Sequence, residues 1–295
     1  MGINKQTLKF MLNEHNHKPF EGSFLSLGKQ SITIERSELF SILEENKFST
    51  DFEFVRDTES RAGKKFDSID DEHLFKIFKN LVYKSSDHSD YENADLLIDL
   101  NKDCPKEYEN KFDLIYSGGT LDNIFNPAQG LINIFKMLKP GGRALITEAS
   151  AYHAGVYCAM SPEWFASFFT VNDCTDVQVH SYCARSSVNQ WVFDTDLFKW
   201  GPNFTRRKDF DYVESSNSVG GQMYSMIVAE KSENSQTEVK IPIQGHYIQP
   251  ENIDWIKLYE KYNSSKRKSP PVKVVNQNVI IPLLTDHFSY IGSEY

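Results

Sequence analysis

The 295-residue chain reads as an α/β protein built on a doubly wound, mostly parallel sheet. Three observations predict this. Phe112 to Tyr116 is apolar at nearly every position, as a strand covered by helices on both faces requires. Asn126-Pro127 supplies an N-cap followed by proline at the first helical position, and Leu131, Ile134, Phe135 and Leu138 then repeat at the spacing of one buried helix face. Lys139-Pro140-Gly141-Gly142 ends that helix, because proline cannot continue it and glycine accepts the left-handed turn. Arg143 to Thr147 starts the next strand. Strand, helix and strand in so short a span make a right-handed crossover.

Before that stretch, residues 1–20 read as a surface helix and linker. His15 and His17 have no Cys, Asp or Glu cluster nearby, so no metal site is expected. Ser23 to Gly28 is the first strand. Glu35 to Glu45 is a helix with Leu39, Ile42 and Leu43 on one face. Residues 47–71 form a charged, irregular connection longer than usual, read as an insertion or lid. Asp71 to Leu81 is helical again. Leu81 to Asp87 is the second strand, and an acidic side chain at its end either accepts from ribose hydroxyls or caps a turn. Ala94 to Leu100 is the third strand, with Asp99-Leu100-Asn101 at the carboxyl edge where ligands of open α/β sheets collect.

After it, Ser161-Pro162-Glu163 opens a helix whose Trp164, Phe165, Phe168 and Phe169 are core rather than a cofactor box. Asp176 to Tyr182 and Met223 to Glu230 are the last two strands. Residues 191–221 between them are irregular and suit a substrate-side insertion. Beyond a polar linker at 232–238 come a helix over Ile253 to Tyr262 and a β-prone tail over Val272 to Leu284. That tail packs on the sheet or on a second subunit, which would make a homodimer.

Bulk properties exclude several classes. A net charge of −9 and a pI near 5.4 argue against a general nucleic-acid or anionic-membrane binder; the clusters Arg206-Arg207-Lys208 and Lys266-Arg267-Lys268 are too short to reverse that. No apolar run approaches the roughly 20 residues of a membrane span, and the polar start lacks a signal-peptide core. Four cysteines without C-x-x-C spacing suit reduced thiols in a cytoplasmic protein.

The stretch Lys111 to Glu148 resembles the second half of the class I S-adenosylmethionine-dependent methyltransferases. F-D-L-I stands at Phe112 to Ile115, and L-K-P-G-G at Leu138 to Gly142. The run Gly118 to Pro127 (G-G-T-L-D-N-I-F-N-P) resembles a branch of bacterial enzymes that decorate sugars and surface polysaccharides. It departs from that branch at Asp122 and Asn123. Gly28-Lys29-Gln30 fits the G-R/K-Q loop of the same branch, in place of the alternating glycines of the superfamily. Ser85, Asp87, Ser89, Tyr91, Glu92 and Ala94 match its S-x-D-x-S-x-Y-E-x-A run.

The resemblance implies a Rossmann-like methyltransferase sheet with an antiparallel last strand. An N-terminal segment (1–20) would precede the cofactor domain (21–231, with insertions 47–71 and 191–221), and an appendage (232–295) would follow. It implies S-adenosyl-L-methionine as cofactor and S-adenosylhomocysteine as product. Gly28, Gln30, Asp87, Asp99, Leu100, Ser117 and Gly118 would hold the cofactor: Gln30 at its carboxylate or amine, Asp87 at the ribose, Asp99 and the Leu100 N–H at the adenine. The loop Glu148 to Tyr157 would face the acceptor. There His153 would act as general base, with Asp122 its rival, and Tyr152 and Tyr157 would orient the acceptor. The implied reaction is O-methylation of a sugar, sugar nucleotide or glycan precursor, with no metal. Two other classes stay open: a non-catalytic module on the same fold, and a nicotinamide-dependent oxidoreductase. Against the latter, no G-x-G-x-x-G follows the first strand.

Overall fold

The computed structural model describes residues 2–60, 62–90, 92–151, 155–186, 193–200, 222–235, 238–243 and 288–294. The chain divides into two units, Met1–Thr147 and Glu148–Tyr295. In chain order the first carries β1 (Gly2–Ile3), α1 (Lys5–His17), β2 (Glu21–Leu27), β3 (Ser31–Ile32), α2 (Arg36–Glu45) and α3 (Asp71–Phe75). These are followed by β4 (Asn80–Asp87), β5 (Leu96–Leu97), β6 (Phe112–Gly118), α4 (Pro127–Met137) and β7 (Leu138–Ala151), whose last residues lie in the second unit.

Five of these strands form a parallel sheet in the order β5-β4-β2-β6-β7. Counted along the chain, that is third, second, first, fourth, fifth: the doubly wound, Rossmann-like order. The winding reverses where β6 lies against β2, and such a switch point leaves a crevice at the carboxyl ends of the strands. The sheet is filled as an apolar core, with Phe24, Leu25, Leu27 and Ile115 on the strands fully buried. Asn126 caps α4 as its sequence requires, accepting from the Gln129 amide at 3.3 Å, and Leu131, Ile134 and Phe135 are buried. At about 1.5 to 3 kcal/mol per large apolar side chain, that face outweighs helix propensity in holding α4 in place.

Several expected boundaries move. The third strand shrinks to Leu96–Leu97, because the Asp95 carboxylate takes the Ser85 amide (2.7 Å) and hydroxyl (3.0 Å) where a ladder would have run. The helix expected to reach Leu81 ends at Phe75, and Asn80 already pairs with Glu21 in the sheet. β7 begins at Leu138 instead of Arg143. Lys139 to Gly142 loop out between the Phe112–Leu138 and Leu114–Arg143 pairs. The Lys139 ammonium turns back to the Asp113 carboxylate at 2.7 Å, which also accepts the Ser23 amide (2.8 Å) and hydroxyl (2.7 Å). Burial raises the Asp113 pKa, but the Lys139 and Ser23 bonds prevail and hold it below the usual range.

The N-terminal helix is not a surface element. Leu8, Phe10, Met11, Leu12 and Glu14 of α1 are buried. Glu14 meets Arg143 of β7 in an ion pair at 2.5 Å, with side chains only 1% and 3% exposed. Arg143 also donates to the Lys18 carbonyl at 3.2 Å. His15 packs against Phe20 and Phe78, its Nδ1 accepting the Phe20 amide at 3.0 Å, and burial lowers its pKa. It is half-buried among aromatic rings.

The second unit contains α5 (Pro162–Val171), β8 (Thr175–Ser186), β9 (Phe193–Trp200), β10 (Gln222–Glu230) and β11 (Phe288–Glu294). β10 runs antiparallel to β8 with Tyr182 opposite Tyr224, as expected for the last strands; β9 pairs antiparallel with β8, and β11 with β9. Ser161 caps α5, and Phe165, Phe168 and Phe169 are buried. The helix expected over Ile253 to Tyr262 and the tail over Val272 to Leu284 lie outside the described residues. Among the described residues no helix is long and apolar enough to cross a membrane.

Breaking the Glu14–Arg143 pair from one side strands a buried charge. Glu14→Gln or Arg143→Met should each lower unfolding free energy in urea by about 3 to 5 kcal/mol, whereas replacing both with apolar residues should cost less than either. Additive losses would show that the two groups do not depend on each other.

Candidate functional site

The parallel register sets four strand ends level at the switch point. Leu27 of β2 lies between Ser86 of β4 and Ser117 of β6, and Asp87 of β4 stands opposite Leu97 of β5. The chain turns after Leu27 through Gly28, whose φ of +75° places it in the left-handed region. A Cβ on Gly28 would lie 3.5 Å from the Thr120 hydroxyl, an ordinary contact. Conformation rather than space therefore demands glycine there. The Gly28 amide donates to the Ser86 carbonyl at 2.7 Å.

Gln30 occupies the crevice between β2 and β6. Its side-chain Nε2 donates to the carbonyls of Leu27 (3.1 Å) and Gly28 (3.2 Å), which orients the amide. Oε1 then faces Gly118, where a Cβ would fall 2.3 Å from it and 2.6 Å from the Tyr116 hydroxyl. Gly118 is thus the space that admits Gln30. The Gln30 residue is 5% exposed, and Oε1 is a buried acceptor with no partner among the described residues. Thr120 closes the other side, donating its hydroxyl to the Leu27 carbonyl at 2.6 Å. Ser117 is fully buried beneath this turn.

Asp87 and Asp99 stand on the same edge but are engaged locally. Asp87 Oδ1 accepts from Ser89 N at 3.2 Å and contacts His88 Nδ1 at 2.7 Å, the bonding of a capped turn; Oδ2 has no hydrogen bond among the described residues. Asp99 accepts from Asn101 N at 3.0 Å and pairs with Lys102 at 3.1 Å, and these bonds, Lys102 first, lower its pKa. Leu100 is buried beside it, its carbonyl accepting from Asn133 at 3.2 Å. The Asn101 side chain accepts the Asn126 amide at 2.9 Å and so joins the loops after β5 and β6.

One residue of this region carries no signal in the sequence. Asp71, 4% exposed, accepts the Gln30 backbone N–H at 2.8 Å and the Tyr83 hydroxyl at 2.9 Å on Oδ2, and the Glu72 amide at 2.9 Å on Oδ1. Burial, with the Asp70 charge adding to it, pushes its carboxyl up to about 6; the Gln30 and Tyr83 bonds oppose that. An Asp-Asp pair at a helix start reads as capping. Asp70 does cap α3, accepting from His73 N at 2.9 Å, and that explains the pair without a second role.

The structure therefore brings Gly28, Gln30, Ser117 and Gly118 together, with Asp87, Asp99 and Leu100 farther along the edge. Asp122 is fully buried in the turn after β6, where Asn123 donates to it at 2.8 Å. His153 and Tyr152 lie outside the described residues. Tyr157 belongs to the second unit and is 74% exposed. No group of three metal-ligating side chains occurs among the described residues.

No protein-family model and no curated protein matches the chain. Among solved structures it is similar to a SAM-dependent methyltransferase from Archaeoglobus fulgidus, at 11% identity and a TM-score of 0.37, over 77% of this chain and 94% of that one. It is also similar to phosphoethanolamine N-methyltransferase 2 of Haemonchus contortus in complex with S-adenosyl-L-methionine, at 11% identity and a TM-score of 0.36, over 76% of this chain and 52% of that one. A third is a possible histamine N-methyltransferase from Thermotoga maritima, at 9% identity and a TM-score of 0.34, over 75% and 89% of the two chains.

Two outcomes follow from the packing of this edge. Gly118→Ala should cost about 1 to 3 kcal/mol by overpacking, and the Gln30→Ala, Gly118→Ala double variant should lose at least about 0.5 kcal/mol less than the sum of the singles; additivity in denaturant unfolding would refute the shared space. Asp71 has a folded pKa raised above its unfolded value. Its contribution to stability is fully present below about pH 4 and is lost as pH rises through about 6, a change of about 3 kcal/mol. Asp71→Asn should flatten that pH dependence, and parallel stability profiles for the two proteins would contradict the assignment.

Proposed function

We propose that the chain is an S-adenosylmethionine-dependent methyltransferase acting on a hydroxyl of a sugar, sugar nucleotide or related glycan precursor. The observation that carries the reading is the switch-point crevice between β2 and β6, where Gly28 turns the chain and the Gln30 amide presents a buried acceptor with no partner among the described residues. A ligand with hydrogen-bond donors in its amino-acid portion suits that acceptor, and an acidic residue at the end of β4 suits a ribose. The residues fit the cofactor on those two counts. Gly28, Gln30, Ser117 and Gly118 would hold its amino-acid part, Asp87 through Oδ2 its ribose, and Asp99 with Leu100 its adenine. Bound there, the cofactor supplies an electrophilic methyl group.

What the chain must add is alignment of the acceptor and removal of its proton. Asp122 is sealed in the core and bonded to Asn123, which leaves the base role to His153, an imidazole being the side chain suited to take a hydroxyl proton near neutral pH. Tyr152 and Tyr157 would orient the acceptor hydroxyl. The glycan acceptor rests on the resemblance of the Gly118 to Pro127 run. A specific observation favours a second reading, a non-catalytic module on this fold. Gln30 and Thr120 already bond the Leu27 carbonyl, so the chain fills part of its own crevice.

Thermal unfolding with added ligand separates the readings. S-adenosylhomocysteine at about a hundred times its Kd should stabilise the protein by about 2.7 kcal/mol, while NAD should leave the transition unmoved. Indifference to both would favour the non-catalytic module, and a response to NAD alone would favour an oxidoreductase.

A further inference from the structure

We propose that Asp71 is a positioning residue of this site: its buried carboxylate holds the backbone N–H of Gln30 and thereby sets the Gln30 amide against Gly118. The loop after β2 has an anchor at each end. The Gly28 amide is tied to Ser86 at 2.7 Å, and Thr33 N donates to the Ile3 carbonyl at 2.9 Å where β1 pairs with β3. Between those anchors, Gln30 N–H to Asp71 at 2.8 Å is the bond that fixes the residue bearing the side chain.

Asp71 is suited to that task. It is the first residue of α3, it is 4% exposed, and Tyr83 on β4 supplies a second donor to the same oxygen at 2.9 Å. One carboxylate thus ties α3, β4 and the loop together. Ionised, the carboxylate only accepts and its bonds are charge-assisted; protonation puts a donor on one oxygen and weakens the other as an acceptor for Gln30 and Tyr83. The charged and titratable groups that face it are Asp70 from the turn into α3, Lys29 from the loop and Tyr83 from β4. Lys29 opposes the rise in its pKa, and Asp70 adds to it. The Gln30 bond lowers the pKa of a carboxyl that burial raises. Protonation therefore favours the folded over the unfolded chain and yet, within the folded protein, favours release of Gln30. That loosening should vanish with Asp71.

The ligand half of the test rests on the methyltransferase reading; the exchange half does not. Hydrogen exchange across residues 28–33 and calorimetric affinity for S-adenosylhomocysteine are measured from pH 5 to 8 on the full chain, for wild type, Asp71→Ala, Asp71→Asn and Tyr83→Phe. Asp71→Ala should speed exchange at Gln30 about tenfold and weaken the ligand by a similar factor, the scale of one hydrogen bond. Asp71→Asn, which keeps an acceptor oxygen, should stay within about threefold of wild type at pH 7.5 on the same scale. Relative to Asp71→Asn, wild type should loosen and bind more weakly below about pH 6. If Asp71→Ala does not fold, the wild-type to Asp71→Asn ratio across pH decides, with Tyr83→Phe showing a smaller loss. Unchanged exchange in Asp71→Ala, failure of Asn to rescue, or parallel pH curves would overturn the proposal. Absence of ligand binding by every protein, wild type included, would instead count against the methyltransferase reading and leave exchange to judge Asp71.

Discussion

The register of β2 is the constraint on which the rest of this edge depends. Leu27 sits level with Ser86 on one side and Ser117 on the other, and its carbonyl then receives the Thr120 hydroxyl and the Gln30 amide. Shifting β2 by one residue would turn Phe24, Leu25 and Leu27 to the opposite faces of the sheet. All three are fully buried, so a slip would force both faces of the core to repack and would take the Leu27 carbonyl away from Thr120 and Gln30. Hydrophobic burial thus places the polar groups of the crevice, and the crevice need not contribute stability of its own.

This division of labour explains which features were legible in the sequence. The buried strand at Phe112, the Asn126-Pro127 cap and the buried face of α4 follow from local chemistry and hydrophobic period, the antiparallel last strands from the resemblance, and all are present. The two motifs behind the family resemblance have a different meaning from the one their familiarity suggests. Asp113 of F-D-L-I accepts from Lys139 of L-K-P-G-G and from Ser23 at the amino end of β6, the opposite end from the crevice. They lock the fold, and they are silent about the ligand.

What the sequence concealed depends on tertiary partners. Residues 1–20 read as a surface helix and linker, yet Glu14 is buried against Arg143, a residue far away in the chain. Asp71 reads only as the start of a helical stretch, and its bond to the Gln30 amide appears only once the loop after β2 folds over it. β5 is short because the Asp95 side chain bonds where backbone would have paired, which no propensity anticipates. The resemblance puts Gly118 among the residues that would hold a cofactor; in the fold its missing Cβ leaves the space into which Gln30 fits.

The proposed function requires the crevice between β2 and β6 to receive a sulfonium nucleoside. It is tested most directly by ultraviolet cross-linking with S-adenosylmethionine carrying a labelled methyl group, followed by mass-spectrometric mapping of the labelled peptides. The label should fall on peptides containing residues 27–31 or 117–120 and be competed away by S-adenosylhomocysteine. Label confined to other parts of the chain, or label that the competitor does not displace, would contradict the claim.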